Sequence, residues 1–363
     1  MNFYYVLFII GSAFSLFEIL PINKKKAMSI LYIIMVGVLL LFSINRSITS
    51  AVDLPQYQWG FGYIKQHDIV TSIKVLGWEP GYIIYSKLIA LLNFDFHQFL
   101  MITSVFVFLP IFTKFYQYSL LPCFSLVIFL GLGYYNAGNG ILRIWMAISI
   151  LSLSYRYILN RDVKKFLIVI VVAAFFHRTA VAFIPAYFIA TRMLTNNMIL
   201  ISVFFSLLLG VFSKPIIVFL EKFARNTYDY GYYGGVNMMI LLVICSLLAS
   251  YIFKKQINFK FTSSLSKKLI KKNNIAIINR MFLNFLLFAM VIQPIAFVYS
   301  NWARIVDFYA MSFVIVIPNM IKEIADMSIE NKKAILIVEC FIIVLLYIMY
   351  WNSDICVYSV WGM

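Results

Sequence analysis

A histidine and an arginine stand side by side in a tract that is otherwise apolar. His177 and Arg178 lie within residues 175–180, inside an apolar run that extends over residues 166–189. Polar and charged side chains that face hydrocarbon cost several kcal/mol. The pair is therefore expected to face the protein interior, a water-filled cavity or an interface, and it is the first candidate for a functional site.

Further ionisable residues fall at the outer ends of predicted helices or in outer loops. A guanidinium group matches the geometry of phosphate oxygens, so outer arginines predict a site for an anion such as a departing diphosphate. A carboxylate or an imidazole beside them predicts a base for an attacking hydroxyl. The predicted diphosphate-binding residues are Arg46, Arg143, Arg178 and Arg304, and the predicted bases are Asp53, Glu79 and His177.

Two of these residues also have simple structural interpretations. Arg46 follows an apolar run and could extend its charged end to the membrane surface. Asp53 precedes Leu54 and Pro55, so it could cap a helix that begins at the proline. Glu79 lies between Trp78 and a proline in an otherwise apolar hairpin, and a functional role is favoured there.

Aromatic residues near these positions predict contacts with sugar rings. The candidates are Tyr57, Trp78, Tyr82 and Trp302. The chain holds 35 Phe and 24 Tyr, and most of them are expected to face lipid or the membrane interface. Aromatic content alone therefore does not single out a sugar site.

The composition is that of a membrane protein. The chain has 363 residues, 63% of them hydrophobic and 12% charged, with a mean hydropathy of +0.91. Repeated apolar runs of about 17 to 20 residues predict an all-α, polytopic integral membrane protein with about 10–12 transmembrane helices. The formal net charge of +16 does not indicate a nucleic-acid partner, because the lysines cluster in short loops between predicted spans.

The basic residues also predict the orientation of the chain. About two thirds of the 30 Lys and Arg fall in segments that would lie inside the cell, which leaves both termini outside. The chain is predicted to be a single membrane domain, residues 1–363. Its main loops are outer loops at 45–97 and 214–235 and a basic inner loop at 254–272.

Several segments are predicted to interrupt the regular spans. Residues 81–94, within the first outer loop, are too short to cross about 30 Å of hydrocarbon and predict a re-entrant or interfacial helix. Residues 166–176 and 180–193 predict a broken helical pair that exposes His177 and Arg178 to the outer side. Residues 136–140 predict a tight turn, and residues 214–223 a separate interfacial helix.

The order of these motifs resembles that of the EpsG-type polysaccharide polymerases, part of the wider group of O-antigen and capsule polymerases. The resemblance runs from Arg46 to Arg304. Its motifs are Arg46…Asp53…Tyr57, Glu79-Pro80-Gly81-Tyr82, Asn139-Gly140-Ile141-Leu142-Arg143 with Ala147, Phe176-His177-Arg178-Thr179-Ala180, and Asn301-Trp302-Ala303-Arg304. The family usually has a glycine soon after the first arginine and a shorter run to the aspartate, whereas residues 47–52 intervene here.

The resemblance implies a multi-pass glycosyltransferase of the bacterial inner membrane. It would join oligosaccharide repeat units carried on undecaprenyl diphosphate at the periplasmic face. With the orientation that the basic residues predict, both termini would be periplasmic. Arg143, Arg178 and Arg304 would grip the diphosphate, and Glu79 or His177 would be the base. No metal or cofactor is expected. The expected partners are the undecaprenyl-diphosphate-linked oligosaccharide, membrane lipid, and a flippase and a chain-length regulator of the same pathway.

The same residues are compatible with other functions. A flippase or transporter of the same lipid-linked units would use the arginines only to bind and release, although the internal repeats common in transporters are not evident. A membrane O-acyltransferase would use His177 as its base. A ligase that moves finished polymer is mechanistically close, and a scaffold for polysaccharide export would tolerate conservative changes at all of these positions.

Overall fold

The computed structural model of this chain describes residues 3–19, 25–221, 235–257, 275–327 and 329–351. Within these ranges the protein is built from α-helices and contains no β-strand. The first nine are α1 Phe3–Ile19, α2 Lys25–Ile44, α3 Leu54–Gln66, α4 Ile69–Leu76, α5 Pro80–Leu91, α6 Phe96–Tyr118, α7 Pro122–Gly131, α8 Tyr134–Gly140 and α9 Leu142–Ser152. The next nine are α10 Tyr155–Leu159, α11 Val163–Phe176, α12 Ala186–Ile189, α13 Asn196–Glu221, α14 Val236–Ile257, α15 Ile275–Ile292, α16 Ala303–Ala310, α17 Phe313–Met327 and α18 Ile329–Trp351.

The predicted fold class is confirmed. Among the described residues, six helical segments are long and apolar enough to cross a membrane, and five shorter helices are also apolar. The protein is therefore an all-α, multi-pass membrane protein. The side of the membrane on which each terminus lies stays a prediction.

The chain divides into two compact units. The larger unit comprises Met1–Tyr155, Leu167–Val181 and Ile321–Met363, and the smaller comprises Arg156–Phe166 and Ala182–Met320. In the larger unit, α7 and α9 form the centre of the core. Every residue of α9 is buried except Arg143, which is half-buried. A helix that is buried on all sides is apolar all round, so this one arginine stands out.

The predicted turn at residues 136–140 is wrong, because this segment is the helix α8. Its asparagines and glycines favour a turn locally, but contacts with α2 hold it in a helix. The Tyr135 hydroxyl donates to the carbonyl of Leu39 at 2.5 Å. One turn further along both helices, the Ser43 hydroxyl donates to Oδ1 of Asn139 at 2.5 Å. Tertiary bonds thus override the local preference.

The predicted break beside His177 is confirmed. Helix α11 ends at Phe176, and a 3-10 helix, Arg178–Phe183, follows before α12. The predicted separate helix at residues 214–223 is wrong over its described part, because α13 continues through Pro215 to Glu221. A proline within a membrane helix is tolerated where neighbouring groups satisfy the freed carbonyl.

The predicted loops are described only in part. The loop 45–97 contains α3, α4 and α5, of which α5 covers most of the predicted short helix. Residues 214–221 of the second outer loop belong to α13, and residues 254–257 of the basic loop belong to α14. The rest of these two loops, except Gly235, lies outside the described residues.

A close approach between α5 and α11 brings two parts of the candidate site together. Pro80 occupies the first position of α5, where its missing N–H costs nothing, and Glu79 is the N-cap residue. A Cβ atom on Gly81 would lie 2.7 Å from the carbonyl oxygen of Phe175 in the last turn of α11. Only glycine permits this approach, which sets Glu79 beside His177.

We expect Gly81→Ala to push α5 away from α11, because the added methyl group would meet backbone that cannot move aside. Overpacking of this kind costs about 1–3 kcal/mol, so the Tm of the purified protein in detergent should fall. The matched control is Gly62→Ala on α3, where a Cβ would meet nothing within 4 Å. In a helix, this change should be neutral or stabilising by about 0.5–1 kcal/mol. Equal Tm values for the two variants would contradict the argument.

Candidate functional site

One carboxylate holds three chain segments of the larger unit together. Oε2 of Glu79 lies 2.6 Å from Nη1 of Arg143. Its other oxygen, Oε1, lies 3.1 Å from Nδ1 of His177 and accepts the backbone N–H of Arg178 at 3.4 Å. Three of the residues predicted from the sequence to act together, Glu79, Arg143 and His177, therefore meet through their side chains.

The ends of helices position these side chains. Glu79 precedes α5, and Arg143 is the second residue of α9. The N–H of His177 donates to Ala173, which completes the last turn of α11. The side chains of Glu79, His177 and Arg143 are 10%, 14% and 24% exposed, so the cluster is largely, but not fully, withdrawn from the surroundings. The side chain of Arg178 begins at the same place and is exposed.

The surroundings of Glu79 keep it ionised. Burial alone would raise the pKa of Glu79, but the hydrogen bond from His177 and the charges of Arg143 and His177 lower it to about 2. A carboxylate with such a low pKa is a weak base at neutral pH. Both of its oxygens also have partners already. Glu79 is thus suited to hold Arg143 and orient His177.

Three of the predicted sugar-binding aromatics pack together in a buried group next to Arg143. Tyr57, Trp78 and Tyr82 are at most 6% exposed, and their ring centroids lie 5.4–5.7 Å apart. The guanidinium of Arg143 lies 5.3 Å from the centroid of the Trp78 ring, a cation–π contact. Because these rings pack against one another, and that of Trp78 also contacts Arg143, their burial leaves little aromatic surface for a sugar.

The packing of these aromatic rings depends on a second glycine, Gly60. The Trp78 indole packs directly on the backbone of α3 at Gly60, where any Cβ would overlap the ring. Tyr57 lies one turn earlier on the same helix, and it interacts electrostatically with Arg143. Arg143 is therefore held both by Glu79 and by residues packed on helix α3.

Two predicted residues lie elsewhere in the larger unit. Arg46 is 1% exposed and bonds to Ser43, Ser104 and the backbone of Asn139. These contacts give it a structural role, and they do not support the prediction that it binds the diphosphate. Asp53 is the N-cap residue of α3, as its sequence context predicted, but its side chain makes no capping hydrogen bond. Whether it acts in catalysis stays a prediction.

The remaining predicted residues belong to the smaller unit. Arg304 is the second residue of α16, and the indole N–H of Trp302 donates to the carbonyl of Ile292 at 3.1 Å. Sequence reasoning overlooked Asp307, which lies one turn after Arg304 and interacts with it electrostatically. The spacing of three residues places both on one face of the helix, and that signal could have found the aspartate.

No group of three or more His, Cys, Asp or Glu that could hold a metal ion occurs in the part of the chain that the structure describes. The polar groups around Glu79 instead combine one imidazole, one carboxylate and two arginines. This set of groups can move a proton and bind an anion.

The EpsG family model matches residues 29–359. The chain belongs to the EpsG family. The predicted resemblance is thereby confirmed, and the matched region contains every candidate residue named above. Membership of the EpsG family supports a polysaccharide polymerase-type role with glycosyltransferase-like activity. No curated protein and no solved structure matches the chain.

The stability of this EpsG protein should depend on pH through Glu79. Because its folded-state pKa is lowered from 4.5 to about 2, its carboxylate stabilises the fold at neutral pH, and this contribution is lost as the pH falls from about 4.5 towards about 2. We expect Glu79→Gln to lower the Tm at about pH 7 and the gap to wild type to shrink by about pH 3. Thermal unfolding in detergent at each pH measures this gap.

Asp53→Asn is the control for that measurement, because Asp53 is also an acidic residue at the start of a helix but its side chain makes no capping hydrogen bond. A Tm gap between wild type and Glu79→Gln that stayed constant over this pH range would show that the charge of Glu79 does not stabilise the site.

Proposed function

We propose that this protein polymerises a surface polysaccharide by joining oligosaccharide repeat units carried on undecaprenyl diphosphate. The reaction would take place at the periplasmic face of the inner membrane, and the bias of basic residues in the sequence predicts this side for the ends of the helices that carry the cluster. The observation that carries the proposal is the Glu79 carboxylate, which holds a histidine and an arginine on its two oxygens. A base and an anion-binding group are thereby fixed next to each other.

His177 is the base in this proposal. Its Nδ1 lies against the Glu79 carboxylate, which can only accept a hydrogen bond, so this contact favours the tautomer that carries its proton on Nδ1. Nε2 is then free to take the proton of an acceptor sugar hydroxyl. Glu79 itself is a poor candidate because both of its oxygens are engaged and its pKa is lowered.

The proposed transfer reaction needs no additional acid. The acceptor oxygen bonds to the anomeric carbon of the growing chain as its proton passes to Nε2 of His177. The bond between that carbon and the diphosphate oxygen breaks, and the electron pair leaves with the lipid diphosphate. Arginine side chains stabilise the charge that develops on the leaving group, which therefore needs no proton at neutral pH.

The two arginines of the cluster differ in their availability. One nitrogen of Arg143 is bound to Glu79, and its guanidinium rests near Trp78, so its position is fixed before a substrate arrives. Arg178 has its backbone tied to the same carboxylate, but its side chain is exposed. Arg143 thus offers a preorganised contact and Arg178 an adaptable one. The proposed role of Arg304 in binding the diphosphate rests on the family motif alone.

The proposed substrate agrees with the location of these groups. Half-buried cationic and imidazole side chains at helix ends suit a substrate whose lipid stays in the membrane and whose diphosphate and sugars lie at its surface. A flippase that supplies these units and a regulator of chain length are the proposed partners.

The test is a gel of surface polysaccharide from a deletion strain that expresses wild type or a variant. We expect wild type to restore the ladder of polymer lengths and His177→Ala, Arg143→Ala and Arg178→Ala to leave a single repeat unit. His97→Ala is the matched control, because His97 lies at the start of α6 outside the cluster, and it should give the full ladder. Expression of each variant is checked in the membrane fraction.

Each rival function predicts a different gel. Deletion that removes even the single repeat unit would indicate a flippase or a ligase. A full ladder that lacks only an acyl group would indicate an O-acyltransferase. A full ladder from well-expressed His177→Ala and Arg143→Ala would indicate a scaffold. Each of these results would overturn the proposed polymerase.

A further inference from the structure

A second arginine of the larger unit is buried deeply but lies at the ends of helices. The side chain of Arg46 donates from Nε to the carbonyl of Asn139 at 3.1 Å and from Nη1 to the carbonyl of Ser43 at 2.5 Å. Nη1 also lies 2.5 Å from the hydroxyl of Ser104 on α6. The guanidinium thus joins α2, α6 and α8.

The two carbonyls explain how a cation is tolerated there. Ser43 lies in the last turn of α2, and Asn139 in the last turn of α8. The last four carbonyls of a helix have no partner within the helix, and they form the negative end of its dipole. An arginine at this position satisfies two such groups and gains from both dipoles, which offsets the cost of burying its charge.

The end of α8 determines where α9 begins. The backbone of Ile141, at φ −94° and ψ 69°, leaves the helical region, so α8 and α9 are separate helices. Arg143 follows two residues later. On the other side of this junction, a Cβ on Gly140 would lie 2.8 Å from the Cβ of Ala51. The junction is therefore tightly packed as well as hydrogen-bonded.

We propose that Arg46 is a positioning residue, which sets Arg143 against Glu79 by fixing the carboxyl end of α8. The proposal rests on the function proposed above, in which Arg143 binds the diphosphate. Arg46 itself does not touch the substrate. It acts through the carbonyl of Asn139 and the three residues, 140–142, that lead from there to Arg143.

A lysine cannot replace Arg46 in this role. An ammonium group carries a similar charge but is compact, whereas the planar guanidinium donates from Nε and Nη1 in fixed directions at once. Arg46→Lys keeps the positive charge between the two helix ends but loses the pair of directed N–H donors that connects their carbonyls. This conservative change therefore tests whether Arg46 acts through its directed hydrogen bonds or through its charge alone.

The first measurement is hydrogen exchange of the full-length protein in detergent, and it needs no substrate. The amides of Ile141 and Trp145 report on the junction, since they donate to Ala137 and Ile141. We expect both to exchange faster in Arg46→Lys. The control is Arg161→Lys in the smaller unit, which also loses an arginine bond to a carbonyl, that of Tyr187. It should leave both amides unchanged.

The second measurement is the affinity for inorganic pyrophosphate, used as a probe of the diphosphate site. We expect Arg46→Lys to weaken it by about tenfold, which is the size of the loss when one charge-assisted hydrogen bond is displaced. In an Arg143→Ala background, Arg46→Lys should cause no further loss, because the two residues act on one contact. A fold-stabilising role alone would lower the Tm and leave the affinity unchanged.

The outcomes separate the two proposals. Unchanged exchange of both amides, or losses of affinity that add fully in the double variant, would overturn the positioning role. Additive losses would indicate that Arg46 binds the anion directly. If wild type and Arg143→Ala bind pyrophosphate equally, the diphosphate site proposed for Arg143 fails, and the exchange data still decide whether Arg46 fixes the junction.

Discussion

The candidate site depends on one carboxylate whose two oxygens bind different partners. Glu79 holds Arg143 on one oxygen and His177, with the backbone of Arg178, on the other. A largely buried carboxylate is stable only when such partners compensate for its lost hydration. The same contacts orient an imidazole and fix a guanidinium. The contacts that stabilise the buried charge of Glu79 are therefore also the contacts that assemble the site.

Close backbone packing brings these groups within reach of one another. Gly81 lets α5 approach α11, and Gly60 lets Trp78 lie on α3 behind Arg143. Arg46 ties the end of α8 to α2, just before Arg143. Gly81 and Arg46 thus each fix a helix end next to a candidate side chain, and Gly60 makes room for the ring that contacts Arg143. This arrangement gives the motif Glu79-Pro80-Gly81-Tyr82 a physical explanation residue by residue.

Much of this could be predicted from the sequence, and the failures have physical causes. Ionisable residues in apolar tracts are costly, so His177 and Arg143 stood out, and the helix break beside His177 followed from segment length. Composition favoured a turn at residues 136–140, but hydrogen bonds to the carbonyl of Leu39 and from the hydroxyl of Ser43 hold this segment in a helix. The burial of Arg46 depends on a carbonyl 93 residues away, which no local pattern reveals.

The most direct test of the central role of His177 is chemical rescue of polymer formation. Purified His177→Ala would be given lipid-linked repeat units with and without added imidazole, and polymer length would be measured on a gel. The account predicts no polymer without imidazole, partial recovery with it, and no recovery in Arg143→Ala, which keeps its own base. Polymer of wild-type length from His177→Ala without imidazole would contradict the role of His177 as the base.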